Sequence, residues 1–128
     1  MNDKQKIVMT GATSGLGKIS AIKAASQGSL VIVIARNLTK GENLKKEFIT
    51  QFPKSKGEIH IIEGDLSSLK SVEDACNDIL LKYSSINMIV NNAGIMNFEH
   101  KKTVDNIEET LQVNLISPLL ICHLLFPI

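Results

Sequence analysis

Tryptophan does not occur in this chain of 128 residues, and aromatic residues make up only 4% of it. With so few flat rings there is no platform on which nucleic-acid bases could stack. No sign of charge dominates either. Fourteen Lys and Arg against 13 Asp and Glu leave a formal net charge of +1, which removes the electrostatic case for nucleic acid or an anionic membrane as partner. Cysteine is scarce: Cys76 and Cys122 stand singly in helix-like patterns, with no CxxC and no Cys/His ligand spacing. That excludes a disulfide framework and predicts reduced, buried thiols in a cytoplasmic protein. The histidines, His60, His100 and His123, group with no carboxylates or cysteines, so core, surface or cap roles are expected and no metal site. The charged start, Met1 to Lys6, is neither a signal peptide nor an anchor. Leu115 to Ile128 carries no charged residue, but it is too short to span a bilayer, and Pro118 interrupts it; it reads as a buried helix.

What is present is an alternation of two periods. Lys6 to Thr10 is a short apolar strand, and Leu30 to Ile34 a continuous β-branched run suited to a central parallel strand. Glu58 to Glu63 and Ile86 to Asn91 read as strands three and four. Between them lie helices over Leu16 to Gln27 (closed by Gly28), Asn37 to Phe52 (ended by Pro53) and from a Ser67 or Ser68 cap to about Tyr83. A fourth helix is expected from Val104 to about Phe126. Leu16, Ile19, Ile22 and Ala25 are predicted to face inward on helix one, and Leu69, Val72, Ala75, Cys76, Ile79 and Leu80 on helix three. Strict strand–helix alternation with short connections predicts parallel strands joined by right-handed crossovers, with helices on both faces.

The stretch that organises the chain is Lys6-Ile7-Val8-Met9-Thr10-Gly11-Ala12-Thr13-Ser14-Gly15-Leu16-Gly17. A strand runs into three glycines and then a helix start. Gly11 permits the turn, Gly15 a close backbone approach, and Gly17 tight helix–strand packing. Free N–H groups and the positive dipole end of the helix then face an anion such as a pyrophosphate. This places the chain in the α/β, doubly wound class with strand order 3-2-1-4, as one domain over residues 1–128. Strand two ends Ile34-Ala35-Arg36-Asn37, with no carboxylate for a ribose 2′-hydroxyl and with an arginine suited to a 2′-phosphate. That favours NADP(H) over NAD(H).

Thr10-Gly11-Ala12-Thr13-Ser14-Gly15-Leu16-Gly17 resembles the TGxxxGxG motif of the short-chain dehydrogenase/reductases. Asp65-Leu66 after strand three, Asn91-Asn92-Ala93-Gly94 after strand four, and Asn114 in Val113-Asn114-Leu115 continue the resemblance in the family's order and spacing. The wording around Ala35-Arg36-Asn37 and Asp65-Leu66-Ser67-Ser68-Leu69 looks most like the NADP(H)-preferring branch of retinol-dehydrogenase-like and related carbonyl reductases. The resemblance implies a Rossmann fold and these roles. Thr10, Gly11, Thr13, Ser14, Gly15, Leu16 and Gly17 would shape the pyrophosphate loop, and Arg36 and Asn37 the ribose end. Asp65 would accept from the adenine amino group, with Leu66 beside the ring. Asn92, Ala93 and Gly94 would run along the cofactor. Asn114 is the candidate catalytic residue, holding a water of a proton relay through its backbone. A small carbonyl or alcohol is the implied substrate, and the last helix a candidate surface for a homo-oligomer.

The family's acid/base pair is not here. It needs a Ser and a Tyr-x-x-x-Lys, whereas the single tyrosine, Tyr83, has Asn87 four residues on and precedes the Asn91-Asn92-Ala93-Gly94 motif. The expectation is therefore the N-terminal half of a longer enzyme, truncated near Ile128 and inactive alone, with strand four a bare edge. The alternatives are a non-catalytic dinucleotide-binding or sensor protein, or an interaction module using Leu115 to Ile128.

Overall fold

In a computed structural model the chain is described over residues 3–128, so Met1 and Asn2 of the charged N-terminus lie outside the described residues. Four parallel strands form one sheet in the order β3-β2-β1-β4. They are β1 (Lys6–Thr10), β2 (Leu30–Ala35), β3 (Glu58–Glu63) and β4 (Met88–Val90). The expected order is therefore the observed one. Strand four is shorter than the Ile86 to Asn91 expected, because only Met88, Ile89 and Val90 pair with Ile7, Val8 and Met9.

All six residues of β2 are buried, as an uninterrupted apolar strand requires when both faces are covered. Successive side chains go to opposite faces. Ile32 and Ile34 join Val8, Ile62, Val72, Ile79, Ile121 and Leu125 in one core. Val31 and Val33 join Met9, Ala21, Ile22, Ala25, Leu44 and Phe48 in the other. Helices α1 (Gly15–Ser26) and α2 (Leu38–Gln51) thus cover one face, and α3 (Leu69–Lys82) and the last helix, over Ser117–Leu125, the other. Each fully buried Val or Ile contributes about 1.5–3 kcal/mol through apolar area removed from water.

The inward face of α1 differs from expectation. Leu16 and Ile19 point out, 80% and 64% exposed. The buried positions are Gly17, Ala21, Ile22 and Ala25. Small residues four apart bring the helix backbone close to the sheet, and a Leu in that stripe would hold it off. On α3 Leu80 is also turned out, while Val72, Ala75, Cys76 and Ile79 are buried.

The last helical run starts later than Val104, which is exposed in a turn. It begins as α4 (Glu109–Leu111), widens into a π segment (Gln112–Ile116) and continues as α5 (Ser117–Leu125). Pro118 has no N–H to give the Asn114 carbonyl four residues back, so a regular α-helix cannot run through this point.

Candidate functional site

The C-terminal ends of the strands open onto a cleft of about 590 Å³. Its floor is the turn after β1. Gly11 takes a left-handed φ of 66°, and a Cβ there would stand 2.7 Å from the Ala93 Cα. Gly17 is still tighter, since a Cβ would meet the Gly11 carbonyl oxygen. Two side chains lock this turn to the end of β4. The Asn92 Nδ2 donates to the Gly11 carbonyl at 2.9 Å, and the Thr10 Oγ1 accepts from the Ala93 N–H at 3.0 Å. Thr10 is buried although polar, and that bond is what satisfies it.

The N-terminus of α1 faces the same space. Ser14 makes no side-chain cap, and the first turn holds no acidic residue. The first helical bond is Lys18 N–H to Ser14 O, so the N–H groups of Gly15, Leu16 and Gly17 have no helical acceptor. The other two helices that follow strands are closed off differently. Asn37 accepts from the Lys40 N–H and caps α2, and Ser68 accepts from the Ser71 N–H and caps α3.

On the β2 side the rim carries Arg36 and, in the first turn of α2, Lys40, both exposed. On the β3 side stand Asp65, Leu66 and Ser67. One carboxylate oxygen of Asp65, Oδ1, accepts from the Ser67 N–H at 2.9 Å and from its hydroxyl at 2.7 Å, which leaves Oδ2. Across from them lie Gly94, Ile95, Glu109 and Val113. Glu109 is partnered by Lys101 at 3.3 Å.

The cleft therefore brings together Thr10, Gly11, Thr13, Ser14, Leu16, Gly17, Arg36, Asn37, Asp65, Leu66, Asn92, Ala93 and Gly94. Two expected residues stand back from its wall. Gly15 begins α1 facing open space. Asn114, whose expected role runs through its backbone, has its side-chain amide on one backbone unit: its Oδ1 accepts from the Ile95 N–H at 2.8 Å, and its Nδ2 donates to the Ile95 carbonyl at 2.7 Å. Lys40, Ser67, Ile95, Glu109 and Val113 were not singled out from the sequence. For Lys40 no signal was available, because Arg36 lies before the extended Asn37 cap of α2 and no helical spacing relates the two.

The groups outside the cleft are structural. Burial pushes the Cys76 thiol up to about 11, so it is no nucleophile. Tyr83 lies at the end of α3 with its hydroxyl 2.6 Å from the His60 Nδ1. Burial, then Asp78 and Glu58, raises its pKa above the ordinary value. Among the described residues no group of three His, Cys, Asp or Glu could hold a metal ion, and no helix is long and apolar enough to cross a membrane.

Comparison with known proteins gives one answer. The sequence profile described as short chain dehydrogenase matches residues 5–128. Retinol dehydrogenase 12 of Bos taurus is 33% identical over 119 residues, 93% of this chain and 37% of that protein. Short-chain dehydrogenase/reductase prx1 of Penicillium roqueforti is 34% identical over 125 residues, 97% of this chain and 35% of that protein. The chain thus spans little more than a third of these relatives. A metagenomic short-chain oxidoreductase solved in complex with NADP superimposes with a TM-score of 0.80 at 26% identity, over 96% of this chain and 55% of that one.

Proposed function

The chain belongs to the short-chain dehydrogenase family, and from that premise we propose that it is the cofactor-holding part of an NADP(H)-dependent oxidoreductase. The complete protein moves a hydride between the nicotinamide ring and a small carbonyl or alcohol substrate. One observation carries the reading: α1 alone among the helices that follow β1, β2 and β3 presents an uncapped N-terminus, and it does so into the cleft between the glycine turn and two cations.

The donor set fits such a cofactor. The free N–H groups of Leu16 and Gly17, both in the cleft wall, with the positive end of the α1 dipole, suit a diphosphate. Arg36 and Lys40 suit a 2′-phosphate, and no residue from Ala35 to Asn37 offers the carboxylate that a bare ribose would favour. Asp65 Oδ2 is available to an adenine amino group, with Leu66 beside it. The backbone of Asn92, Ala93 and Gly94, braced by Thr10, lines the path of the cofactor. When bound, the nicotinamide supplies or takes up the hydride at C4. The Asn114 carbonyl, left without an α-helical donor by Pro118, would hold a water for proton transfer, the role that the family resemblance implies. Support for the phosphate preference comes from the metagenomic oxidoreductase solved with NADP.

The test is a pair of titrations, NADPH and NADH, on wild type and Arg36→Ala. NADPH should bind the wild type more tightly, and the substitution should weaken NADPH roughly 10- to 100-fold, the range expected for a hydrogen bond to a charged group, while leaving NADH unchanged. Tighter binding of NADH to wild type would overturn the assignment. These 128 residues should show cofactor binding without turnover, because Tyr83 has no lysine four residues on.

A further inference from the structure

The helical run that ends the chain holds three neighbouring segments from behind the cleft. Gln112, in the π segment, is completely buried. Its Nε2 donates to the Asp105 Oδ2 at 2.8 Å, and its Oε1 accepts from the Thr103 hydroxyl. The same Asp105 oxygen accepts from the N–H of Leu69, first residue of α3, at 2.8 Å. Asn114 clasps Ile95. Ser117, again fully buried, donates to the Leu66 carbonyl at 2.6 Å. Leu66 and Leu69 bracket the corner between β3 and α3, so this corner is fixed at two points from one helix. Thr103, Asp105, Gln112 and Ser117 all lie outside the cleft wall.

We infer that Asp105 and Gln112 are positioning residues: they seat the β3–α3 corner, and with it Asp65 and Leu66, at the depth that the adenosine half of the cofactor requires. The inference rests on the proposed cofactor site. The chemistry is that of a polar pair. Asp105 is half-buried and bridges two donors, one from each element, and the fully enclosed Gln112 amide has no water to replace a lost partner. Displacing either member moves the start of α3, and the Asp65–Ser67 turn, joined to α3 through the Ser71 hydroxyl, moves with it.

Two substitutions test this. Gln112→Glu sets two carboxylates against each other. Asp105→Asn is the conservative counterpart, because its amide oxygen can take the place of Oδ2 and still accept from both the Gln112 Nε2 and the Leu69 N–H. Calorimetric titration with NADPH and with adenosine 2′,5′-bisphosphate, each below the variant's unfolding temperature, should show Gln112→Glu at least about tenfold weaker for both ligands, and Asp105→Asn within about threefold of wild type. Unchanged affinity in Gln112→Glu would overturn the inference, even with a lower melting temperature. So would a loss for NADPH that the bisphosphate does not share, or a loss of about tenfold in Asp105→Asn. Should Gln112→Glu fail to fold, Thr103→Val removes the hydroxyl that donates to Gln112. It should weaken both ligands by about threefold, and no change there would also refute the inference. A wild type that binds NADPH but shows none of these losses refutes the positioning role alone. A wild type that binds neither ligand refutes the cofactor site, and this inference with it.

Discussion

The two edges of the sheet are built on different terms. At one edge β3 pairs along six residues with β2, and its rim carries charge: Lys4 pairs with Glu58 at 2.7 Å, and His60 lies 2.9 Å from the same carboxylate group. At the other edge β4 pairs along three residues with β1, and Met88 is half exposed. Val8 makes the contrast internal. It faces Ile32 of β2 on one side and Ile89 of β4 on the other. Ile32 is fully buried between two strands and two helix layers, whereas Ile89 is only partly buried against the same core. The same residue type at the same level of the sheet therefore does unequal work. A charged, fully paired edge resists further strand addition, and a short apolar one invites it.

The largest expected effect tests that inequality. Ile32→Ala should cost about 3–4 kcal/mol and Ile89→Ala about 1–2 kcal/mol in urea unfolding at neutral pH, since the cost follows how completely the lost methyl groups were enclosed. Equal losses would erase the contrast between the edges. Next comes Met88→Lys, which puts at β4 the kind of charge that β3 already carries. It should reduce self-association in sedimentation velocity while changing stability by no more than about 0.5–1 kcal/mol. A loss as large as that of Ile32→Ala would show that Met88 supports the core after all.

The smallest effect concerns the guarded edge. The hydrogen bond from Lys4 holds the Glu58 carboxyl below its ordinary 4.5, with His60 adding to the effect. A carboxylate lowered on folding stabilises above its unfolded pKa, and that contribution is lost as pH falls through the folded one. Glu58→Gln should therefore be slightly less stable than wild type at pH 7, by under about 1 kcal/mol for so exposed a pair, and the gap should close as pH falls below 4.5. A gap that widens in acid would contradict the sign.

Strand order, the first three helices and most of the cleft were legible because they rest on period and punctuation. Continuous apolar runs mark buried strands, and the three glycines mark a turn that no bulkier residue fits. What was not legible followed from close packing. Leu16 and Ile19 look like core on hydrophobicity alone, yet α1 approaches the sheet through Gly17, Ala21 and Ala25, and the large residues are left outside. Val104 continues an apolar pattern but belongs to a turn held by Asp105 and Thr103. The π segment has no hydropathy signature. Pro118 marks where the α-helix must change, and the sequence suggests only a kink there. Gly15 and Asn114 sit in the expected motifs, and the role expected of Asn114 runs through its backbone; that its side chain turns to Ile95 is a contact no motif encodes. Gln112 and Asp105 were invisible for the same reason, as two ordinary polar residues whose meaning lies in a partner on α3.

The latches on β1 also set an order in time. Both asparagines that hold its ends are distant in the chain: Asn87 accepts from the Lys6 N–H, and Asn92 donates to Gly11, each 81 residues away. Pairing of β1 with β2 closes a much shorter loop, from Lys6 to Leu30, and the longer closure costs about 1 kcal/mol more in chain entropy. During synthesis β1, β2 and their helices can assemble while β4 is still unmade. The glycine turn then waits, open on one side, until Asn92 and Ala93 arrive to shut it. Capacity to hold a ligand is thus the last property this part of the chain acquires as it folds.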